Sequence, residues 1–229
     1  MHLRGKFTKE GYLRLIGHLD LMKLFHRAIK RAKIDFKYSE GFNPSPKLSI
    51  PNPLPLGIES LCEFIEFDTI NDIDAKIERV KINEQLPKGI ELLELSESKN
   101  YNSLSNEIQY CSYRIIIPEY IDNEKFRDSI DKIQKLDKIE VFREKRFKRG
   151  KKFRMIPIDI KPILAEIELS DDGKYLDYLC HSSLGSNLRP DVLIDAVSQI
   201  YGFIDFTDLR IIRTGQYLDI NQKPVKLEG

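Results

Sequence analysis

The order in which strand-like and helix-like stretches follow one another constrains the fold of this chain more than any other feature. The first half runs strand, helix, strand, strand, helix, strand, and closes with the strand-like run Ile90–Ser96. The second half repeats that order between Ile108–Ile117 and Asp208–Arg213. In such an order, two helices cover one face of an antiparallel sheet. We therefore predict an α+β protein with tandem ferredoxin-like (β-α-β-β-α-β) domains and antiparallel sheets; one continuous α+β sheet is the alternative.

A polar stretch at residues 97–103 separates the two halves and predicts a linker. The predicted domains are an N-terminal ferredoxin-like domain at 1–98 and a C-terminal one at 106–217, followed by a tail at 218–229.

Three local predictions concern the first half. Tyr12–Ile16 is predicted as a strand, and Asp72–Asn83 as a helix that Asn71 or Asp72 caps. Leu19–Ala32 is predicted as a helix because its apolar residues recur at spacings of four, three and four, at Leu21, Phe25, Ala28 and Ala32.

The charge of the chain is concentrated in two basic segments, although its net charge is only +1 over 229 residues. Residues 1–50 hold eleven Lys or Arg against four Asp or Glu, and residues 143–154 hold eight against one. The remaining sequence is acidic. Because local fields attract phosphate backbones more than net charge does, these two segments are candidate nucleic-acid contacts.

The composition also limits the class of protein. No apolar run approaches eighteen residues, and the charged N-terminus lacks the apolar core of a signal peptide. Cys62, Cys111 and Cys180 are far apart, which fits neither a disulfide framework nor a metal site. Together these features lead us to expect a cytoplasmic protein. We also expect no bound cofactor or metal, because nucleotide-binding and hydrolase motifs are missing from the sequence.

The predicted helix 19–32 has one apolar face and one cationic face, which carries Lys23, Arg27, Lys30 and Arg31. An ordinary solvated helix face is one interpretation, but acidic residues at helical spacing are missing after Asp20. Phosphate or an acidic protein partner would suit such a face. Asp20 is expected to stabilise the helix N-terminus, whereas His18 is a weak candidate for proton transfer or phosphate binding.

The loop that follows combines one aromatic residue, one amide and two prolines within Ser39–Lys47. Phe42 is predicted either to stack on a base or to fill the core beneath the loop. Asn43 is a candidate for reading a base edge, and Ser39 and Lys47 flank both residues.

The stretch from residue 17 to residue 60 resembles the radical SAM-linked (radical SAM-associated) protein family, an uncharacterised bacterial family. The matching motifs are GHLDL, then a basic helix, then YSEGFNPSPK and PLPLGIES. Two positions depart from the family pattern, since Gly17 stands where Ser is usual and Ser45 where His is usual. The Ser45 departure argues against a mechanism that needs a second histidine in the loop.

The resemblance implies a partner, because members of that family are fused to radical SAM proteins or encoded beside them. A radical SAM enzyme holds its cluster with closely spaced cysteine thiolates. The three cysteines here lack that spacing. We therefore expect this chain to act beside a separate radical SAM protein, and not to perform the radical step itself.

The second basic segment, residues 143–154, predicts a hairpin with Gly150 near its tip. Cations interleaved with aromatic residues suit nucleic acid, while a solvated edge hairpin explains the same pattern. The candidate contacts in this segment are Arg146, Lys148, Arg149, Lys151 and Lys152.

Three functions remain open from the sequence. The first is a non-catalytic RNA-binding or substrate-presenting accessory to a radical SAM enzyme. The second is a metal-independent RNA-processing endoribonuclease with His18 as its acid or base, and the third is a protein–protein adaptor without RNA.

Overall fold

A computed structural model describes residues 1–146, 153–183, 186–219, 221–223 and 225. The chain divides into two compact units, Met1–Cys111 with Ile212–Gly229, and Ser112–Ile211. The predicted domain bounds of 1–98 and 106–217 stay a prediction.

The first unit is built around β1, the strand His2–Lys9, whose residues are nearly all buried although five of the eight are polar. Its neighbours are antiparallel: β3 (Glu59–Asp68) on one side and β4 (Ile90–Glu97) on the other. The two-residue β2 (Leu48–Ser49) pairs with β3 in antiparallel fashion, and β11 (Arg210–Tyr217) pairs with β3 in parallel at Ile212 and Arg213. These neighbours pair the backbone N–H and C=O groups along both edges of β1.

Helices cover one face of this sheet and form the core with it. These are α1 (His18–Arg31) and α2 (Ala75–Asn83). Phe7 of β1 meets Phe25 of α1 edge to face, with ring centroids 4.7 Å apart. Gly5 lies close under this layer, because a Cβ there would come within 2.8 Å of the Leu92 side chain.

The predicted linker, residues 97–103, is attached to β1, because the Asn102 carbonyl accepts from the Arg4 guanidinium over 2.5 Å. Residues 104–107 form a short helix, α3 (Leu104–Glu107), and the backbone N–H of Leu104 donates to Glu66 of β3 over 3.1 Å. Glu107 accepts from the buried Arg4 guanidinium over 2.9 Å. These contacts give residues 102–107 fixed partners within the first unit.

The second unit contains two helices and two groups of strands. The helices are α4 (Asn123–Lys135) and α5 (Pro190–Tyr201), and the strands are β5 (Tyr110–Ile116), β6 (Glu140–Arg146), β7 (Phe153–Asp159), β8 (Leu164–Leu169), β9 (Tyr175–Ser183) and β10 (Ser186–Asn187). In this unit β9 pairs with β5, β8 and β10, while β6 and β7 form a separate two-stranded antiparallel sheet. Tyr113 and Tyr178 stack in the buried layer with ring centroids 5.1 Å apart.

The predicted α+β class with mostly antiparallel sheets is confirmed, as is the helix α1. The prediction of a strand at Tyr12–Ile16 is wrong, because Gly11–Leu15 is a 3₁₀ helix. Side chains at i and i+3 of a 3₁₀ helix share one side, so the spacing of Tyr12 and Leu15 does not need a strand.

Helix α2 begins at Ala75, three residues later than the predicted start at Asp72. Asp74, and neither Asn71 nor Asp72, caps this helix, because its carboxylate accepts from the backbone N–H groups of Lys76 and Ile77. Several acidic or amide residues in a row offer several possible caps, and only the backbone conformation selects one.

Candidate functional site

Helix α1 separates its apolar residues from its cations as the sequence indicates. Leu21, Phe25 and Ile29 are buried against the sheet. The opposite face is exposed and carries four cations, Lys23, Arg27, Lys30 and Arg31. Lys30 and Arg31 lie in the last turn, where positive charge is favoured by the partial negative charge of the helix C-terminus.

The four cations differ in what they contact. Lys23 donates to Asp20 over 3.3 Å, an exposed pair three residues apart. Arg31 donates to the backbone and side-chain oxygens of Gln85, over 2.6 and 3.2 Å. The ammonium of Lys30 lies 5.8 Å from the centre of the Tyr38 ring. Arg31 therefore also fastens α1, while Arg27 and Lys30 present exposed charge to solvent.

The loop after α1 is a narrow projection whose two arms are tied together. Tyr38 and Pro46 form an antiparallel bridge. The Ser39 N–H donates to the Ser45 carbonyl over 2.8 Å, and the Ser45 N–H donates to the Ser39 hydroxyl over 3.0 Å. Lys47 closes the base through its N–H to the Lys37 carbonyl, over 2.8 Å.

Phe42 lies at the tip of this projection, between Gly41 and Asn43. Its relative exposure is 106%, so it does not fill the core beneath the loop. Gly41 has φ of +131°, a conformation that L side chains rarely adopt, and this lets the chain turn at the tip. Asn43 is exposed beside the ring.

The α1 cations and this tip belong to one surface of the first unit. Lys30 stacks beside Tyr38 at the base of the loop. Lys37 and Lys47, whose backbones close that base, are both exposed. We call this the loop–helix surface, and its charged and aromatic members are Arg27, Lys30, Lys37, Phe42 and Lys47.

His18 is the first residue of α1 and is half-buried. Burial, and in second place the charge on Lys9, hold the pKa of His18 below its ordinary value. Asp20 lies in the first turn of α1, where its negative charge suits the helix dipole, and it accepts from Lys23 over 3.3 Å. Within the part of the chain that the structure describes, no hydrogen bond joins His18, Asp20 and Asn43 to one another.

Beneath the start of α1 lies a group of charges that sequence reasoning does not reveal. Glu63 of β3 is fully buried and accepts from the Arg213 guanidinium of β11 over 2.9 and 3.1 Å. Lys9 of β1 is equally buried, and its charge interacts with both. We call Lys9, Glu63 and Arg213 the buried charge network.

Desolvation pushes the ionisable groups of this network towards their neutral forms. Burial raises the pKa of Glu63, against the attraction of Arg213, and burial lowers the pKa of Lys9, against the attraction of Glu63. For both Glu63 and Lys9, the attraction of an opposite charge thus opposes the shift that burial causes in the pKa.

The buried charge network binds the backbone at both ends of the segment that holds α1 and the loop after it. Lys9 donates to the carbonyl of Ile16, two residues before His18, over 2.9 Å. Arg213 donates over 2.9 Å to the carbonyl of Asn52, which stands between Pro51 and Pro53 after the loop. The Gly57 N–H then donates to the Arg14 carbonyl over 2.9 Å, so the residues before α1 meet the PLPLGIES segment.

One sequence signal could have revealed these residues. The strand Glu59–Asp68 carries Glu59, Glu63 and Glu66, and all three are buried. Charged residues are rarely buried without partners, so acids in an apolar strand predict buried cations. The identity of those cations is not readable from the pattern, because Lys9 and Arg213 lie far away along the chain.

The three cysteines are all buried and free of disulfides. Burial raises the pKa of the Cys62 thiol to about 11, so this group is protonated at neutral pH. A protonated, buried thiol is a poor nucleophile.

The second basic segment forms a hairpin as predicted, since β6 and β7 pair from Glu140 and Asp159 to Arg146 and Phe153. Arg146 ends its first arm. Lys148, Arg149, Lys151 and Lys152 lie outside the described residues.

No helix within the described ranges is long and apolar enough to cross a membrane. A comparison with curated proteins found no match. Among solved structures, a chain of the "Crystal Structure of a Cbf5-Nop10-Gar1 Complex" is similar at a TM-score of 0.45 and 8% identity. That likeness covers 93% of this chain and 48% of the other, so this chain spans about half of its length.

A family model described as "Uncharacterized protein conserved in bacteria (DUF2344)" matches residues 2–190. Because the match covers most of the chain, the protein belongs to this bacterial family.

Proposed function

We propose that this member of the DUF2344 family is a non-catalytic accessory that binds single-stranded RNA and presents it to a separate radical SAM enzyme. The observation that carries the proposal is the position of Phe42, a fully exposed aromatic ring at the tip of a tied loop. Because the Phe42 ring is exposed to water, it contributes no buried apolar surface to the stability of the fold. Base stacking would cover it.

The charges around Phe42 support the same conclusion. Lys30, Lys37 and Lys47 are exposed around the base of the loop, and Lys23, Arg27 and Arg31 continue along α1. Cations that follow a nucleic-acid backbone, together with a ring for the bases, are the usual elements of single-strand binding. A ring at a loop tip fits unstacked bases better than a duplex, whose bases are already stacked.

The radical SAM partner rests on the resemblance of residues 17–60 to a family linked with such enzymes. The buried, protonated Cys62 agrees with a role outside the radical step. His18 is proposed to organise the start of α1, because its lowered pKa leaves it uncharged at neutral pH and unable to attract phosphate by charge.

We also propose that each half is a ferredoxin-like domain. In the first unit, the strand order β4-β1-β3-β2 with antiparallel neighbours supports this, with α1 after β1 and α2 after β3. In the second, β8, β9 and β5 would belong to the domain and the β6–β7 hairpin would be an insertion. Missing nuclear Overhauser contacts between Leu48 and Phe67 in the full chain would contradict the first assignment.

The RNA proposal is tested by titrating the full chain into fluorescein-labelled U12 RNA and following anisotropy. Stacking is worth about 1–3 kcal/mol per base, so Phe42→Ala should weaken binding by roughly five- to more than a hundred-fold. The matched control is Phe203→Ala in the second unit, where an aromatic ring is also 87% exposed. Equal effects of the two substitutions, or none, would contradict the proposal.

A second arm tests the charges. Lys30→Glu with Lys47→Glu should lower both the affinity and the slope of its logarithm against that of salt, because fewer counterions are released. Lys132→Glu with Lys135→Glu on exposed positions of α4 should leave both unchanged. RNA cleavage without metal, lost in His18→Ala, would instead favour an endoribonuclease.

A further inference from the structure

A groove along α1 shares Arg27 with the loop–helix surface but differs from it in chemistry, because its floor is apolar. It runs between α1 and residues 85–87, with a volume of about 580 Å³. Four apolar side chains and four charged ones line it, together with Gln85: Ile16, Leu24, Leu86 and Pro87, and Asp20, Lys23, Arg27 and Arg31.

The floor of the groove is apolar and accessible. Ile16, Leu24 and Leu86 pack on the core of the first unit but remain half-buried, and Pro87 is exposed. Nothing among these side chains can form a hydrogen bond with a base or a sugar. An apolar floor gains free energy from covering by apolar side chains.

The apolar surface continues beyond one end of the groove. The Glu10 N–H donates to the Gly89 carbonyl over 2.7 Å, which sets the 3₁₀ helix Gly11–Leu15 beside residues 87–89. Tyr12 and Leu15 lie three residues apart on this helix and are 88% and 58% exposed. In a 3₁₀ helix this spacing puts both on one side.

The rim of the groove is positively charged. Lys23, Arg27 and Arg31 face a single acid, Asp20. Lys23 is partly neutralised by Asp20, and Arg31 is held by Gln85, so Arg27 offers its charge to an incoming group. Carboxylates would complement this rim.

We propose that this groove binds a segment of a partner protein in which apolar side chains alternate with Asp or Glu. The apolar side chains cover Ile16, Leu24 and Leu86, and the carboxylates meet the cations of the rim, which is the usual mode of groove recognition. The proposal rests on the proposed function in one respect, namely that the chain acts beside a separate protein. It uses residues other than Phe42.

The test is selection of dodecapeptides from a random phage library on the full-length protein. Peptides rich in Asp or Glu and in Leu, Ile, Phe or Met should be enriched, and one consensus peptide is then synthesised with a fluorescent label. Its affinity should fall at least tenfold in Leu86→Asp and in Arg27→Glu. Lack of enrichment, or a basic consensus, would overturn the proposal.

Two further variants separate folding and RNA binding from the groove. Leu86→Asp alters a half-buried residue, so the exposed Pro87→Glu is the second variant, with Pro157→Glu on the exposed part of β7 as its control. Pro87→Glu should abolish peptide binding, whereas Pro157→Glu and Phe42→Ala should leave it intact. If Pro87→Glu weakens U12 RNA binding as strongly as peptide binding, the groove belongs to the RNA surface and the protein-docking proposal fails.

Discussion

Two groups of charges in the first unit differ in their surroundings, and the difference decides what each can do. Lys9, Glu63 and Arg213 are buried on three strands, whereas Arg27 and Lys30 of α1 are exposed. Water and salt screen exposed charges, so an exposed pair contributes about 0–1 kcal/mol. Removing one partner of a buried pair costs about 3–5 kcal/mol. The buried charge network therefore fixes the fold around His18, and the exposed cations are available for binding.

Removal of the Arg213 guanidinium is expected to have the largest effect. Arg213→Met removes the guanidinium that donates to Glu63 and leaves only Lys9 to offset this buried charge, so it should lower the free energy of unfolding by about 3–5 kcal/mol in urea titrations. Burial already raises the pKa of Glu63. Since a protonated Glu63 needs no cation, the loss should be smaller at pH 5 than at pH 8.

Two variants make the comparison with the exposed charges quantitative. Arg27→Met on α1 should change the free energy of unfolding by less than about 0.5 kcal/mol. The double variant Glu63→Leu with Arg213→Met should recover much of the loss, because apolar replacement of a buried pair is often neutral. A similar effect of Arg27→Met and Arg213→Met would remove the distinction between the two groups.

The same contrast explains which features were predictable. Periodicity along the chain predicts α1 and its charged face, since neighbours on a helix are neighbours in sequence. The buried charge network joins β1, β3 and β11, and its Glu63–Arg213 pair spans 150 positions. The local pattern of β3 indicates buried acids, but it does not identify the distant cations that meet them. The sequence likewise offered two roles for Phe42, because whether a loop folds back over the core depends on bonds such as those of Ser39 and Ser45.

The two histidines of α1 report on different groups of charges, His18 on the buried charge network and His26 on the exposed cations. Burial lowers the pKa of both His18 and His26, and the charge of Lys9 adds to the shift at His18 while Lys30 and Arg27 add to it at His26. In NMR titrations of imidazole shifts, Lys9→Met should raise the pKa of His18 but leave it below 6.5, because burial is the larger cause. Lys30→Met should raise only that of His26.

A consequence for stability follows from the direction of these shifts. Below about pH 6.5 the unfolded chain takes up protons at these positions more readily than the folded protein. The free energy of unfolding therefore falls as pH decreases from about 6.5 towards the folded pKa values. His18→Gln should reduce this dependence. An unchanged slope would contradict the assigned shift.

The smallest predicted effect concerns the junction between the two groups, at the N-terminus of α1. Gly17 caps this helix without a side-chain hydrogen bond, in contrast to Asp74 on α2. At Gly17, φ is −74° and a Cβ would meet nothing within 4 Å beyond its chain neighbours, so a side chain is tolerated. Gly17→Ser should stabilise the protein by about 0.3–1 kcal/mol, through a hydroxyl that accepts a free N–H of the first turn and through a less flexible unfolded chain.

Gly17→Ala separates these two causes, because alanine restricts the unfolded chain but offers no oxygen to the helix. If the serine variant is no more stable than the alanine variant in urea titrations, the first turn of α1 gains nothing from a cap. U12 RNA affinity should be equal in both variants and in the original protein, since Gly17 is not among the residues of the loop–helix surface. A change in that affinity would mean that the start of α1, held by Lys9 through the Ile16 carbonyl, takes part in binding and is not only its support.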